Sequence, residues 1–370
     1  MWNNRRQFIL GSLLFLGTVT FFMIVGDLRV VGVTSVHSKD QSHPVSIHDH
    51  GCYTISNTFA NTAHSNEVLE ERSCSKSVPN VLIIGSKKCG TTTLKNFLGF
   101  HPQIAAAETE AHYYDTNIFM GLDWFIDQLP YALPNQLVVE KTPRYLVYPG
   151  VQEKMKKDLS PDIKLIIVLR EPVTRAISDF THITFKRYTS EKHLRDKRTD
   201  GKPSMSPEQA ALRKHFKKIE AKNNQRYPNY DKMGLTFEDS VLTDKGDIDV
   251  NSAIIDTSIY VKYLKKWLKY YSRDQILVLD GEQLILEPYQ IMQKVEKFLG
   301  IEPYFLPENF HFNVQKRFYC LSQPIYACMK PSKGRVHPSV SDEIVDKLKQ
   351  FYTPYNIELE ELLNQTFSWT

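Results

Sequence analysis

The chain has 370 residues, 42% hydrophobic and 24% charged, with 46 Lys and Arg against 42 Asp and Glu and a formal net charge of +4. Set apart from a leader and a linker, about 290 residues remain, enough for one large α/β domain. No internal repeat points to a solenoid, and no recognition motif accompanies the basic residues, so nucleic acid is not an expected partner.

Phe8 to Val25 is an almost unbroken apolar run, at the short end for a membrane-spanning helix. Arg5 and Arg6 precede it, so the positive-inside rule puts residues 1–7 in the cytosol and the rest of the chain in a lumen. The run is long for the apolar part of a cleaved signal peptide, and no small-x-small site follows it; an uncleaved signal-anchor over residues 8–25 is expected. Residues 26–77 are rich in Ser, His, Thr and Asn without sustained apolar periodicity, which predicts a flexible luminal stem. Cys52 and Cys74 lie in that stretch and pair either with each other or with another chain. Residues 78–370 are expected to form the folded luminal domain.

Val81 to Ile84 is a continuous apolar run that suits a central parallel strand. Gly85 and Gly90 permit a sharp turn with close backbone approach. Thr91, Thr92 and Thr93 then place hydroxyls and backbone N–H groups at a helix N-terminus, where an anion is favoured. A nucleoside-triphosphate loop needs Lys directly after the second Gly. Here Thr91 follows, and Lys87 and Lys88 lie inside the loop, so the segment reads as a phosphate cradle of another kind.

Leu137 to Glu140 predicts a short strand whose end delivers Lys141 and Arg144. Ile163 to Leu169 is another buried strand, ending in Arg170-Glu171-Pro172, and Pro172 suits the first turn of a following helix. That helix would carry Arg175, Ser178 and Asp179. Arg170 and Ser178 could converge on one phosphate, Arg as a bidentate fork and Ser as a neutral donor. From Lys186 to Lys232 the chain carries 14 Lys and Arg against 6 Asp and Glu. Between Tyr260 and Tyr271, Val261, Leu264, Trp267, Leu268 and Tyr271 fall at helical spacing with lysines elsewhere, a pattern of core packing under a solvated basic face. Gln275 to Asp280 predicts a last strand. Strands alternating with helices imply a central parallel sheet flanked by helices, with ligands beyond the carboxyl ends of the strands.

The lysine-bearing loop followed by Gly90-Thr91-Thr92 resembles the sulfotransferase loop that holds the 5′-phosphosulfate of 3′-phosphoadenylyl sulfate. Arg170 followed eight residues later by Ser178 matches that family's 3′-phosphate motif. Further segments resemble the heparan sulfate glucosamine 3-O-sulfotransferases: His101 through Glu108, Glu110, His112 and Asp115; Glu140-Lys141-Thr142-Pro143-Arg144-Tyr145; Phe310 through Tyr319 and Cys320, with a second cysteine at Cys328; and Ser332-Lys333-Gly334-Arg335-Val336-His337-Pro338. The similarity runs from about Pro79 to Trp369 in unbroken motif order. The family's usual chain is shorter between Thr184 and Gly234, so this basic stretch is an insertion. It is either a contact surface for a polyanion or, the favoured reading, a surface excursion with solvated charges.

The resemblance implies a sulfotransferase fold and a Golgi type II membrane enzyme that moves a sulfo group from 3′-phosphoadenylyl sulfate to the 3-hydroxyl of a glucosamine in heparan sulfate. It makes Glu110 the general base, with His112 and Asp115 orienting either Glu110 or the sugar. Lys88 is expected to neutralise the leaving oxygen. Lys87, Lys88, Cys89, Gly90, Thr91, Thr92, Arg170, Ser178, Tyr319 and the loop Lys333, Gly334, Arg335, Val336 and His337 would hold the donor, Tyr319 beside the adenine. Glu108, Glu110, His112, Lys141 and Arg144 would meet the acceptor. Cys320 and Cys328 would form a disulfide, and Asn364-Gln365-Thr366 is a glycosylation triplet. The chemistry requires no metal, and no Cys, His or carboxylate set has metal-site spacing.

Three departures stand out. The family commonly has Gly at the position of Cys89 and Arg at that of Thr92, and a smaller residue at Arg144. A nucleophilic Cys89 is not expected, because the donor should cover it and the transfer needs no covalent intermediate. The remaining alternatives are a sulfotransferase with another acceptor, such as an amine or a different hydroxyl, and an inactive heparan-binding relative.

Overall fold

The computed structural model describes residues 45–196, 236–316, 318–329 and 337–370. The expected anchor over 8–25, residues 197–234 of the insertion and Lys333 to Val336 lie outside them. Among the described residues no helix is long and apolar enough to cross a membrane.

In chain order the strands are β1 (Ile47–Asp49), β2 (Tyr53–Ser56), β3 (Asn61–Ala63), β4 (Val81–Gly85), β5 (Ile104–Ala106), β6 (Leu137–Lys141), β7 (Lys164–Leu169), β8 (Ile276–Asp280), β9 (Phe310–Asn313) and β10 (Phe318–Leu321). The helices are α1 (Asn66–Glu71), α2 (Thr91–Leu98), α3 (Leu122–Asp127), α4 (Val151–Asp158), α5 (Pro172–Asp196), α6 (Phe237–Val241), α7 (Ala253–Asp256), α8 (Tyr260–Trp267), α9 (Gly281–Leu286), α10 (Pro288–Leu299) and α11 (Asp342–Leu363).

Five strands form one parallel sheet in the order β5-β6-β4-β7-β8. Every residue of β4 is buried, as is all of β7 after Lys164, which is why both read as continuous apolar runs rather than alternating ones. The chain leaves β4 toward β5 and β6 on one side, then returns to β7 and β8 on the other. The strand order therefore reverses at β4, and crevices in open α/β sheets form outside the carboxyl ends at such a point. Ile83 lies opposite Lys141 and Gly85 opposite Ile167, so the ends of β4, β6 and β7 open into the same space.

The aromatic and lysine residues of α8 divide as the spacing predicts. Tyr260, Val261, Tyr263, Leu264 and Trp267 are buried, and Lys262, Lys265 and Lys266 face solvent. Trp267 Nε1 donates to the Leu146 carbonyl at 2.9 Å, which satisfies the indole inside the core.

The stretch expected to be stem is corrected from residue 45 onward. β1, β2 and β3 form an antiparallel sheet, and Cys52, Tyr53, Ile55, Phe59 and Leu69 belong to the hydrophobic core. Cys52 and Cys74 are bonded to each other with a Cα–Cα distance of 5.9 Å. This sheet serves the outer side of β5: Tyr53 Oη accepts from the Ala106 N–H at 3.2 Å, and His50 Nε2 lies 2.7 Å from the Ile104 carbonyl oxygen. Burial pushes the His50 pKa down to about 4, so the ring is a neutral donor. Strands of three and four residues are too short to show a period in the sequence, and their hydrophobic surface is spread over residues 52 to 69.

Candidate active site

A cleft of about 970 Å³ opens at the carboxyl ends of β4, β6 and β7. Lys88, Gly90, Thr91 and Thr92 line one side, Glu110, His112 and Arg144 another, and Arg170, Ser178, Tyr319 and His337 complete it. Residues as far apart as 87 and 337 thus meet in one space.

The β4–α2 loop takes its shape from Lys88 and Gly90, whose φ angles are +74° and +99°. Gly suits the second position because the left-handed region carries no Cβ penalty for it. Lys87 is fixed at both ends by α5. Its ammonium lies 2.7 Å from Asp179 Oδ1, and its carbonyl accepts from Arg175 Nη1 at 3.5 Å. Arg175 is itself fully buried, donating to Asp179 Oδ2 at 3.0 Å, Ser258 Oγ at 2.5 Å and the Ile254 carbonyl at 2.6 Å. Burial pushes the Asp179 carboxyl up, but Lys87 and Arg175 outweigh it and leave it below its ordinary value. Lys87, expected at the donor, lines the cleft and is tied there to α5 through Asp179. Cys89 is buried, with Sγ 3.8 Å from Tyr260 Oη, and burial raises its thiol to about 11. A thiol held protonated is no nucleophile.

Glu110 stands on the opposite wall between two cations. Lys141 Nζ donates to Oε1, and His112 Nε2 lies 3.1 Å from Oε2. Lys141 also reaches Thr92 Oγ1 at 3.3 Å, which ties the Glu110 wall to the β4–α2 loop. Burial pushes the Glu110 carboxyl up, yet the His112 hydrogen bond and the Lys141 charge hold it at about 2. His112 Nδ1 lies 2.9 Å from Asp115 Oδ2. The bonds to Asp115 and then Glu110 raise the His112 pKa to about 9 against burial, so the imidazolium is the resting form. Asp115 is buried behind His112 and is not among the residues lining the cleft, so it bears on Glu110 only through His112.

His112 has left-handed backbone angles, φ 50° and ψ 35°. For a residue with a Cβ that conformation costs about 1–2 kcal/mol, so the surroundings must hold it. The Ala111 N–H donates to Glu140 Oε1 at 3.1 Å, and the His112 N–H donates to Thr142 Oγ1 at 3.3 Å.

Arg144 lies over the Tyr148 ring at 5.1 Å and places Nε 3.4 Å from Asp115 Oδ2. Arg170 Nε donates to Glu282 Oε1 at 2.8 Å. Glu282 sits at the β8–α9 turn, where Gly281 approaches the loop so closely that a Cβ would lie 2.7 Å from the Cys89 carbonyl oxygen. Glu108 is a correction. It does not reach the cleft, and its carboxylate accepts from the Asn61 N–H at 3.2 Å. Glu108 and Glu110 would share a face only on a strand, and β5 ends at Ala106.

Sequence reasoning missed His182, Lys186 and Lys316, which also line the cleft. His182 follows Ser178 by one helical turn, so the i, i+4 spacing on α5 was the available signal. Its Nδ1 is buried without a hydrogen-bond partner among the described residues, and burial with the charges of Lys88 and Lys87 lowers its pKa to about 4. Cys320 and Cys328 form a disulfide, Cα–Cα 4.5 Å, behind the β9–β10 hairpin that presents Tyr319. Asn364 is exposed at the end of α11. No group of His, Cys, Asp and Glu among the described residues could hold a metal ion.

Residues 78–358 match the sequence profile of the sulfotransferase domain. Heparan sulfate glucosamine 3-O-sulfotransferase 5 of Homo sapiens is 33% identical over 298 residues, 79% of this chain and 74% of that protein. Heparan sulfate glucosamine 3-O-sulfotransferase 3B1 of Homo sapiens is 33% identical over 299 residues, 80% of this chain and 66% of that protein. A solved sulfotransferase from Alicyclobacillus acidocaldarius is 21% identical, with a TM-score of 0.49 over 79% of this chain and 98% of its own.

Proposed function

Because the chain belongs to the heparan sulfate glucosamine 3-O-sulfotransferase family, we propose that this sulfotransferase acts on the 3-hydroxyl of glucosamine residues in heparan sulfate, with Glu110 as general base. The family's sulfo donor is 3′-phosphoadenylyl sulfate, which supplies an electrophilic sulfur and a phosphate leaving group. The cleft fits such a group. Lys88 follows β4 and Arg170 follows β7, so both cations line the same cleft, and His182 presents a buried ring nitrogen with no partner among the described residues.

The chain's own groups divide the work. Glu110 accepts the hydroxyl proton as the acceptor oxygen bonds to sulfur. The bond between sulfur and the phosphate oxygen breaks, its electron pair stays on that oxygen, and Lys88 neutralises the growing charge. His112 holds Glu110 Oε2, and Asp115 holds His112. Thr91, Thr92 and the N-terminus of α2 offer donors to the 5′ end, while Arg170 and Ser178 take the 3′-phosphate. Arg144, Lys186 and Lys316 form the cationic rim suited to sulfates and carboxylates on the acceptor.

The observation that carries this reading is the Glu110 carboxylate, held between His112 and Lys141 in the same cleft as Lys88. The test is incubation of the luminal portion with labelled donor and defined heparan oligosaccharides, followed by mapping of the modified atom. Label on the glucosamine nitrogen or on another hydroxyl would replace the acceptor assignment. The apolar run at 8–25 after Arg5 and Arg6, with two disulfides in the folded part, supports a Golgi type II membrane protein whose catalytic domain is luminal.

A further inference from the structure

Glu140 is the second carboxylate of the site region, and the reaction as described has no use for it. It lies next to last in β6, opposite Leu82, with no exposure to solvent. A carboxyl group in a sheet interior is costly unless its hydrogen bonds repay the loss of water. Those bonds go to one place. Oε1 accepts from the Ala111 N–H at 3.1 Å and from the Thr142 hydroxyl at 2.5 Å, and Thr142 Oγ1 accepts in turn from the His112 N–H at 3.3 Å. The two N–H groups that follow Glu110 are therefore held by one carboxylate, directly and through one hydroxyl.

We propose that Glu140 is a positioning residue for the general base, clasping the backbone of Ala111 and His112 so that the His112 ring meets the Glu110 carboxylate at the cleft wall. This rests on the reading of Glu110 as the base. The next residue of the same strand, Lys141, grips the Glu110 carboxylate itself. Consecutive residues of β6 thus hold the base by its backbone and by its side chain. No strand ladder templates the segment, because β5 ends at Ala106. Besides the clasp, Asn117 Nδ2 donates to the Ala111 carbonyl at 2.9 Å and the Tyr113 N–H to Tyr145 Oη at 2.9 Å. The clasp also bears on the left-handed conformation of His112, which turns its ring back toward Glu110. Glu140 Oε2 has no partner among the described residues, and burial, against the Thr142 and Ala111 hydrogen bonds, raises the carboxyl to about 7. What the site asks of this side chain is an acceptor at Oε1 rather than a charge.

That distinction sets the experiment. Glu140→Gln keeps the acceptor, and Glu140→Leu removes it with similar volume. The expected result is a fall in kcat of tenfold or more for Glu140→Leu, with the Kd for adenosine 3′,5′-bisphosphate within about twofold of wild type, and kcat of Glu140→Gln within about threefold. Added to Glu110→Gln, the Leu substitution should cost nothing further, because the group it positions is already gone. Wild-type kcat in Glu140→Leu, equal losses in both variants, or parallel loss of bisphosphate affinity would overturn the proposal. Should Glu140→Leu fail to fold, Thr142→Val cuts the relay to the His112 N–H. A lowered kcat with unchanged bisphosphate affinity supports the clasp, and unchanged kcat overturns it. Full activity in Glu110→Gln alone would refute the base assignment, and the Leu and Gln comparison would still report on the segment.

Discussion

The ammonium of Lys141 donates to Glu110 Oε1 and lies 3.3 Å from Thr92 Oγ1, so a single cation spans the proposed base and the β4–α2 loop. The loop follows β4 and Lys141 ends β6, and these neighbouring strands are locked in register. A displacement of either strand end would be felt at the other through this one side chain.

Glu110→Gln should abolish most turnover while leaving the fold and bisphosphate binding intact. The amide keeps the shape but cannot take a proton, and loss of a general base costs about 10²–10⁴ in rate. Single-turnover measurements should place the loss in the chemical step. Retention of more than about a tenth of the wild-type rate would move the role to another group, His112 first.

The pH dependence should have its feature on the alkaline side. Glu110, held at about 2, stays ionised at every practical pH, so it contributes no acid limb. His112 is raised from 6.5 to about 9, and turnover should decline as it loses its proton there. The same shift has a sign for stability. A raised pKa means that the contribution is complete below about 6.5 and lost as the pH climbs through about 9. Denaturation of wild type and His112→Gln should therefore differ most at pH 6 and converge by pH 10.

Arg170→Ala should weaken binding of adenosine 3′,5′-bisphosphate far more than that of adenosine 5′-phosphate. Losing a charged hydrogen bond corresponds to about 1.5–3 kcal/mol, read directly by calorimetry. Equal losses for the two ligands would take the 3′-phosphate away from Arg170 and Ser178.

Gly281→Ala should disturb the β4–α2 loop from outside the cleft. The new Cβ would lie 2.7 Å from the Cys89 carbonyl and 2.8 Å from that of Leu169, both backbone atoms that cannot swing aside. Overpacking of this kind costs about 1–3 kcal/mol, and bisphosphate affinity should fall with the melting temperature. An unchanged affinity would show that the turn moves instead of the loop.

Asp179→Asn should destabilise the whole domain. Arg175 and Asp179 are both without solvent exposure, and removing one partner of a buried pair costs about 3–5 kcal/mol. Chemical denaturation would show a lower midpoint, and Lys87 would lose its anchor.

What could be read in the chain was whatever the sheet buries on both faces. Val81 to Ile84 and Leu165 to Leu169 announce themselves because no polar side chain is tolerated there, and the loop and helix starts follow from Gly90, Thr91 and Pro172. Pairings across long separations could not be read. Glu282 is 112 positions from Arg170 and reaches it only because β8 lies beside β7. Asp179 was placed on the correct helix, but its bond to Lys87 depends on how α5 lies under the loop. Glu108 was named by resemblance alone, and its place outside the cleft follows from the end of β5 at Ala106, beyond which two residues of separation no longer mean one face.

The small bridged sheet at residues 47–63 bears on where this protein can be cut. The family match begins at residue 78, an inviting start for a shortened version, yet Tyr53 and His50 cover the free backbone groups along β5. A chain begun at 78 would bare the Ala106 N–H and the Ile104 carbonyl beside newly uncovered Phe100. An unpaired strand border next to an aromatic surface is a template for self-association. Truncations at 45 and at 78 should differ in solubility before they differ in chemistry.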